Sequence, residues 1–173
     1  QDLIRMLDNV LEVFIRDAPD ELSRARYSAT RERSLGLGAM GFHAYLQQQR
    51  LPWESAMAKG ANLKMFNLIQ SEAITATEQL ATERGEYLDG PGSGRRNAHL
   101  MAIAPNANSS ILLNISPSIE PWKSNAYTHR TRAGSHQVRN PELITLLEER
   151  IPDETKREKV WSSITTNAGS VQH

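Results

Sequence analysis

The chain has 173 residues, in which 20 lysine and arginine side chains balance 20 aspartates and glutamates, and it has no cysteine. That length suits one domain or one piece of a larger domain. The lack of cysteine excludes a disulfide scaffold, a thiolate zinc site and a cysteine nucleophile within this chain. No apolar run approaches the roughly 18 residues of a membrane-spanning helix. The first residues do not resemble a signal peptide, and we expect the chain to be cut from a longer protein.

Charge is spread unevenly along this neutral chain. The segment from Pro91 to Asn140 contains six basic residues and one acid, Glu120, so its net charge is +5 and the remainder carries −5. The six basic residues are Arg95, Arg96, Lys123, Arg130, Arg132 and Arg139. Such an island indicates either an anionic ligand or a solvated face paired with acids elsewhere, and charge alone favours the second interpretation.

Apolar periodicity predicts helices through the first half. The first helix ends at Asp17 to Pro19, because proline cannot continue the hydrogen-bond ladder. Its predicted apolar stripe is Leu3, Leu7, Val10 and Phe14, widened by Ile4, Leu11 and Ile15. A short helix over 20–27 and another over 39–49 follow. A long helix then runs from Pro52 to a glycine cap at Gly85. Its predicted apolar face is Ala61, Met65, Ile69, Ala73, Ala76 and Leu80.

The segment from Arg33 to Gly38 contains a Gly-Leu-Gly sequence just before the third predicted helix. This spacing predicts a strand end or a tight turn that opens into the helix. It lacks the third glycine and the acidic residue of a dinucleotide-binding fingerprint. We therefore interpret the two glycines as sites of close backbone packing.

The second half alternates loops with short ordered elements. Residues 89–94 form a loop by composition, and the apolar run from His99 to Ala104 predicts a buried strand. A β-hairpin is predicted over 125–139, with its turn at Gly134. Asn140 and Pro141 start a helix, and a last helix runs from Pro152-Asp153 to about Gly169.

The polar segment Pro105 to Ser110 lies between the predicted strand and an apolar run that can begin a helix. Unpaired N–H groups at a helix N-terminus suit an anion such as phosphate. Asn106, Asn108, Ser109 and Ser110 add side-chain donors, and the small Ala107 leaves room for a ligand. The alternative is a well-capped helix without a ligand, since Asn and Ser are preferred caps. The chemistry of the loop alone favours that alternative.

No complete catalytic motif is present. The sequence has neither GxSxG nor HExxH. His43, His129 and His136 are interpreted as packed or solvated residues, and Glu120 as the partner of a nearby arginine. We therefore predict neither a catalytic residue nor a metal site in this chain.

Two blocks of sequence resemble the large (alpha) subunit of class I ribonucleotide reductase. They are APNANSS at 104–110 and SIEPWKSNAYTHR at 118–130. The upstream blocks 7–10, 33–38 and 94–97 resemble the same family, in the same order. The resemblance covers essentially all 173 residues.

The resemblance implies an α/β, helix-rich fold that is part of a ten-stranded α/β barrel. Residues 1–173 would be a fragment from the second half of one catalytic barrel domain, with no separate domains. In the family, the loop matching Pro105 to Ser110 binds the substrate diphosphate. Asn106, Ala107, Asn108, Ser109 and Ser110 would then hold phosphate oxygens. Asn106 and Asn108 stand where Ser or Thr often occurs, and they keep the capacity to form hydrogen bonds.

The implied activity is that of ribonucleoside-diphosphate reductase, which reduces ribonucleotides to deoxyribonucleotides by radical chemistry for DNA replication. That chemistry needs a thiyl-radical cysteine, two redox cysteines and relay tyrosines, and these motifs would lie upstream of Gln1 and downstream of His173. The isolated chain is thus predicted to be inactive. The full enzyme implies a radical-generating small subunit with a dimetal cofactor, nucleotide effectors and a thioredoxin-type reductant. Its implied partners are ribonucleoside diphosphate, the rest of the large subunit and a second large subunit in a homodimer. It would be cytoplasmic, away from membranes and nucleic acid.

Three alternatives stay open at this point. An adenosylcobalamin-dependent reductase shares the barrel, although the block from Tyr127 to Arg130 is more similar to class I. A non-catalytic anion-binding or RNA-binding helical module would use the basic island, but aromatic residues make up only 6% of the chain and no basic repeat is present. A purely structural helical domain would bind nothing at Pro105 to Ser110.

Overall fold

The computed structural model describes residues 1–132 and 134–172. Over these residues the protein is helix-rich, with seven α-helices and one two-stranded antiparallel sheet. The elements are α1 (Asp2–Asp17), α2 (Ser23–Glu32), α3 (Phe42–Gln48), α4 (Ala56–Arg84), α5 (Ala107–Leu113), β1 (Ala126–Thr131), β2 (Gly134–Arg139), α6 (Pro141–Arg150) and α7 (Glu154–Thr166). A single 3-10 turn, Asp20–Leu22, precedes α2. No helix in the described ranges is long and apolar enough to cross a membrane.

The chain forms two compact units. The first combines Gln1–Ala39 with Ala56–Ala104, and the second combines Met40–Ser55 with the chain from Pro105 onward. The first unit therefore contains α1, α2 and α4. The second contains α3, α5, the hairpin and the last two helices.

The core of the first unit lies where α1 meets α4. Its buried members are Ile4, Leu35, Ala73, Ala76 and Leu80. The predicted apolar face of α4 is confirmed in its C-terminal half, where small alanines allow close approach. Gly85 adopts a left-handed φ of 86° directly after α4, as expected for a glycine cap.

The predicted apolar stripe of α1 is confirmed in part. Ile4 is buried, and Leu7 and Leu11 pack against the core. Leu3 and Val10 are exposed, and the buried face includes Asp8 instead. The helix has apolar residues on two sides, so periodicity alone does not decide which side is buried. Ion pairs of Asp8 with Arg33 and Arg84 turn this side of the helix inward.

A polar network is buried beside that core. The Asp8 carboxylate is fully buried and accepts hydrogen bonds from Arg33 Nη2 at 2.9 Å, Arg84 Nη1 at 2.8 Å and Asn97 Nδ2 at 3.0 Å. Thr77 Oγ1 donates to Asn97 Oδ1 at 2.9 Å. Since every buried member named here has a partner, the network fixes how α1, α4 and the chain around Asn97 meet.

The Gly-Leu-Gly segment packs closely against the chain after Asn97. Leu37 forms one parallel bridge with Met101, and its N–H donates to the carbonyl of Leu100 at 2.9 Å. The predicted buried strand over 99–104 is wrong, because only this single bridge forms and Ile103 is exposed. An apolar run forms a buried strand only where other strands pair with its edges and other elements cover both of its faces.

Gly38 is expected to tolerate no larger residue. A Cβ at this position would lie 2.6 Å from the backbone oxygen of Ala102, so Gly38→Ala forces the two segments apart. We expect a loss of about 1–3 kcal/mol in the free energy of unfolding, measured by denaturant titration. The matched control is Gly60→Ala in α4, where a Cβ meets nothing within 4 Å. That variant is expected to gain about 0.5–1 kcal/mol, and equal losses in both variants would contradict the close-packing interpretation.

The predicted hairpin is confirmed in the second unit. β1 pairs with β2 in antiparallel register, with Ala126 opposite Arg139 and Thr131 opposite Gly134. Gly134 is therefore the first residue of β2, and the turn precedes it rather than centring on it as predicted. Ala133, which belongs to the predicted turn, lies outside the described residues.

The last two helices cover one side of this hairpin. Ala126, Trp161 and Ile164 form the buried cluster, and Arg139 lies 4.9 Å above the Trp161 ring while pairing with Glu158. The predicted start of α6 is confirmed, because Asn140 Oδ1 accepts the N–H of Glu142 at 3.1 Å. The second unit thus has its own core, with helix ends fixed by side-chain caps.

Candidate functional site

The candidate phosphate-binding segment lies at the start of α5. The helix begins at Ala107, inside the stretch interpreted from sequence as a polar turn. Asn106 precedes it in a left-handed conformation with φ of 52°, and its carbonyl accepts the N–H of Ser110 at 2.9 Å. The first N–H groups of a helix have no partner within it and carry partial positive charge. They are suited to an anion.

The side chains of this segment divide into two groups. Ala107, Asn108 and Ser109 are exposed, and the Asn106 side chain forms no capping hydrogen bond. Ser110 is buried, and its hydroxyl donates to the carbonyl of Ala107 at 2.9 Å. All five predicted residues therefore lie together in one turn, but the Ser110 hydroxyl is already engaged inside the helix. Their binding of phosphate stays a prediction.

A cavity of about 630 Å³ lies next to this turn within the second unit. Pro105, Ala107 and Ser110 contribute to its wall, together with the loop after α5 and one side of β1. Its polar and aromatic lining includes Glu120, Trp122, Lys123, Tyr127 and His129. All five belong to the block 118–130 that carries the family resemblance, but none of them was assigned to the phosphate site from the sequence.

Basic residues of the island have different surroundings. Arg96 lies 3.8 Å from both Asp8 and Glu12, and Arg139 pairs with Glu158 at 2.8 Å. Lys123 instead lines the cavity beside α5. Arg96 and Arg139 therefore belong to structural ion pairs, whereas Lys123 belongs to the surroundings of the candidate site.

The predicted pairing of Glu120 with an arginine is wrong. Over residues 1–132 and 134–172, Glu120 forms no such ion pair, and it lies in the cavity wall near Lys123 instead. Proximity in sequence to several arginines did not establish a contact, and Arg139 pairs with Glu158 on α7 instead.

His43 is a packed residue, as predicted. Its Nδ1 accepts the backbone N–H of Trp122 at 3.1 Å, and its ring meets Trp53 edge-on at 5.4 Å. Nearby, the buried Ser116 Oγ accepts the N–H of Ala44 at 3.1 Å. These two bonds join the start of α3 to the loop that follows α5, and they hold in place the part of the cavity wall that contains Trp122. Sequence reasoning missed Ser116, whose partner is 72 residues away.

The stability of the second unit is expected to fall as the solution becomes acidic. Burial lowers the pKa of His43 below its usual 6.5, and the bond from Trp122 requires a neutral Nδ1. The unfolded chain binds the proton first, so the contribution of His43 is present above that value and is lost as the pH falls through the folded pKa. Melting temperatures between about pH 8 and pH 5 measure the effect.

His43→Gln is the control for this pH dependence. A glutamine keeps an acceptor for the Trp122 N–H without titrating, so the slope of melting temperature against pH is expected to become shallower. An unchanged slope in the variant would assign the pH dependence to other groups.

No group of three or more His, Cys, Asp or Glu side chains that could hold a metal ion occurs in the described part of the chain. His129 and His136 face each other across the hairpin but have no third ligand of these types in that region. The prediction that this fragment binds no metal stays a prediction.

Comparison with known proteins decides the family. The family described as "Ribonucleotide reductase, barrel domain" matches residues 1–90 and 88–173. The chain belongs to this family. The resemblance seen in the sequence blocks is thereby confirmed. The helix-rich character of the fold that it implied is confirmed as well.

Individual members of the ribonucleotide reductase family agree. The chain is 50% identical to the ribonucleoside-diphosphate reductase large subunit of Invertebrate iridescent virus 3 and 43% identical to that of Invertebrate iridescent virus 6, each over 173 residues. These alignments cover 99% of this chain but only 28% and 18% of the two relatives. The structure is similar to an Actinobacillus ureae class Id ribonucleotide reductase alpha subunit, with a TM-score of 0.85 and 40% identity over 99% of this chain and 31% of that one. The chain thus spans less than a third of the length of these relatives.

Proposed function

We propose that this chain is the substrate diphosphate-binding segment of a ribonucleoside-diphosphate reductase large subunit, which reduces ribonucleotides to deoxyribonucleotides by radical chemistry. The observation that carries the proposal is the start of α5. At this point the first N–H groups of the helix and several small polar side chains lie in one turn beside a cavity. The chain that carries this turn belongs to the ribonucleotide reductase family.

The proposed ligands are Asn106, Ala107, Asn108, Ser109 and Ser110. The backbone N–H groups at the first positions of α5 would donate to phosphate oxygens, and the side chains of Asn108 and Ser109 would add donors. Asn106 would contribute its amide from the preceding position. Ser110 would contribute through its place in the turn, since its hydroxyl and its N–H are both engaged within the helix.

The remaining parts of the enzyme are proposed to lie outside this chain. The 173 residues would be one part of a ten-stranded α/β barrel and of a single catalytic domain. Since the chain has no cysteine, the radical and redox cysteines would come from other segments of the large subunit. The full enzyme would act in the cytoplasm as a homodimer, with a radical-generating dimetal small subunit, nucleotide effectors and a thioredoxin-type reductant.

Class I is favoured over the adenosylcobalamin-dependent class by the similarity to a class Id alpha subunit. The sequence block from Tyr127 to Arg130 forms much of β1, whose residues Tyr127 and His129 line the cavity.

Titration of the chain with inorganic diphosphate and with ADP tests the binding proposal. We expect the amide NMR signals of residues 106–110 to shift progressively and to saturate. Shifts confined to Arg95 and Arg96 would overturn the proposal, because they would indicate nonspecific binding to the basic island. Salt dependence alone, without saturation at 106–110, would likewise count against a built site.

A further inference from the structure

Helix α1 has a second apolar face, which is exposed among the described residues. Its members recur at spacings of three, four and three residues, so they form one straight stripe. We call this the outer stripe, and it consists of Leu3, Met6, Val10 and Val13, which are 55%, 53%, 60% and 49% exposed. The opposite face of the same helix is already buried, with Ile4 only 1% exposed.

The arrangement of these residues, rather than their total area, points to a packing surface. Single exposed apolar residues need no explanation, but four in register on one helix form the pattern of a helix face that packs against another element. The positions between the stripe residues are polar where exposed, such as Asn9 and Glu12, whereas the exposed apolar residues of α4 are six and five residues apart and form no stripe (Met57, Leu63 and Leu68). The apolar residues of α1 therefore serve two packing surfaces, and the structure accounts for only one of them.

We propose that the outer stripe of α1 packs against the rest of the large subunit, in the two-thirds of the relatives' length that this chain does not cover. The inference rests on the proposed function only in taking the chain as a segment of a full-length large subunit. The alignments support that assignment, because 99% of this chain matches 28% of one relative and 31% of the solved alpha subunit.

The size of the stripe argues against a second copy of the chain as its partner. From Leu3 to Val13 the helix rises about 15 Å, and a helix is about 10 Å wide, so the stripe offers on the order of 150–250 Å². A stable interface between separate proteins needs roughly 800 Å² from each partner. Packing within one polypeptide has no such minimum, because the chain connection keeps the two surfaces close.

The charges on α1 argue against a membrane surface. Helices that bind membranes carry an excess of Lys and Arg on the polar face. On α1, Arg5 pairs with Glu83, Arg16 pairs with Asp17, and the helix also carries Asp2, Asp8 and Glu12. A protein surface is the occupant that these features fit.

Cysteine labelling tests the proposal, since the natural chain has no cysteine to interfere. Val10→Cys reports the stripe, and Lys64→Cys on α4 reports an exposed polar position in the same unit. Each is placed both in the 173-residue chain and in the large subunit of Invertebrate iridescent virus 3 whose matching segment is replaced by this chain. Maleimide uptake at each site is followed by peptide mass.

We expect both cysteines to react at similar rates in the 173-residue chain. In the full-length subunit, residue 10 should react at least about tenfold more slowly, while residue 64 changes less than about twofold. Equal reactivity of residue 10 in both proteins overturns the proposal. A second outcome also overturns the proposal: in the 173-residue chain, residue 10 becomes more protected as the protein concentration rises, and sedimentation shows dimers. That outcome assigns the stripe to a second copy.

A second measurement does not require the full-length protein to fold. Met6→Gln with Val10→Gln in the 173-residue chain is expected to change its melting temperature by less than about 2 °C. A drop of more than about 5 °C shows that the stripe already packs within this chain, and overturns the proposal. Neither measurement depends on phosphate binding. A negative result for the stripe therefore does not affect the proposed diphosphate site, and a negative diphosphate titration does not affect the proposal for the stripe.

Discussion

Replacement of Asp8 by asparagine is expected to remove about 3–5 kcal/mol from the free energy of unfolding, because it removes the buried counter-ion of Arg33 and leaves that charge only the half-exposed Glu12. Arg33 has a side chain only 6% exposed, and its Nε and Nη2 both donate to Asp8. Asn97 Nδ2 and Arg84 Nη1 donate to the two different carboxylate oxygens of Asp8, and asparagine keeps only one of these acceptors. Chemical denaturation of the variant measures the loss.

The control for this variant is Asp17→Asn. Asp17 also pairs with an arginine, Arg16, but both side chains are more than half exposed. Exposed ion pairs contribute little to stability, so the free energy of unfolding should stay nearly unchanged. If the two variants behave alike, the buried network does not stabilise the first unit.

The pH dependence of the first unit gives the same network a second test. Burial by itself would raise the pKa of Asp8, but hydrogen bonds from Arg33 and Asn97 and the charges of Arg33 and Arg96 outweigh it and lower the pKa below 3.8. Its contribution is thus fully present above that value and is lost as the pH falls through the folded pKa. The variant Asp8→Asn should lack this part of the acid destabilisation.

Replacement of Ser109 by aspartate is expected to abolish most diphosphate binding while leaving the fold intact. A carboxylate about 4 Å from one phosphate charge costs about 1–4 kcal/mol at the dielectric constants of water and of a protein surface. This corresponds to a roughly 5-fold to 900-fold loss of affinity. Titration with inorganic diphosphate, read from the signals of residues 106–110, measures it.

This substitution separates binding from folding. Ser109 is in the first turn of α5, where an acidic side chain favours the helix because of its partial positive charge. Lower affinity would therefore not reflect melting of α5. The matched control is Ser162→Asp on α7, which adds the same charge at an exposed position away from the start of α5. If the control loses as much affinity, net charge rather than the proposed site determines binding.

Local sequence signals determined much of this protein. The long apolar period of α4 ending at Gly85, and the Asn140-Pro141 start of α6, need only contacts within one or two helical turns. Short-range hydrogen bonds and backbone sterics encode such features directly. The ordered sequence blocks around 104–110 and 118–130 also indicated the ribonucleotide reductase family, which the comparisons confirm.

Other features were decided by residues far apart in the chain. The pairing of Asp8 with Arg33 and Asn97, 25 and 89 residues away, chose the buried face of α1. The apolar run 99–104 did not become a strand, because strand pairing depends on a neighbouring segment. The segment around Leu37 supplies only one bridge. Periodicity describes what one segment offers to a partner, whereas burial requires that a partner be present. The outer stripe of α1 is likewise apolar in sequence but exposed in the structure, because burial requires a partner. Both faces of α1 carry apolar residues, so only the tertiary structure could distinguish the buried face from the exposed one.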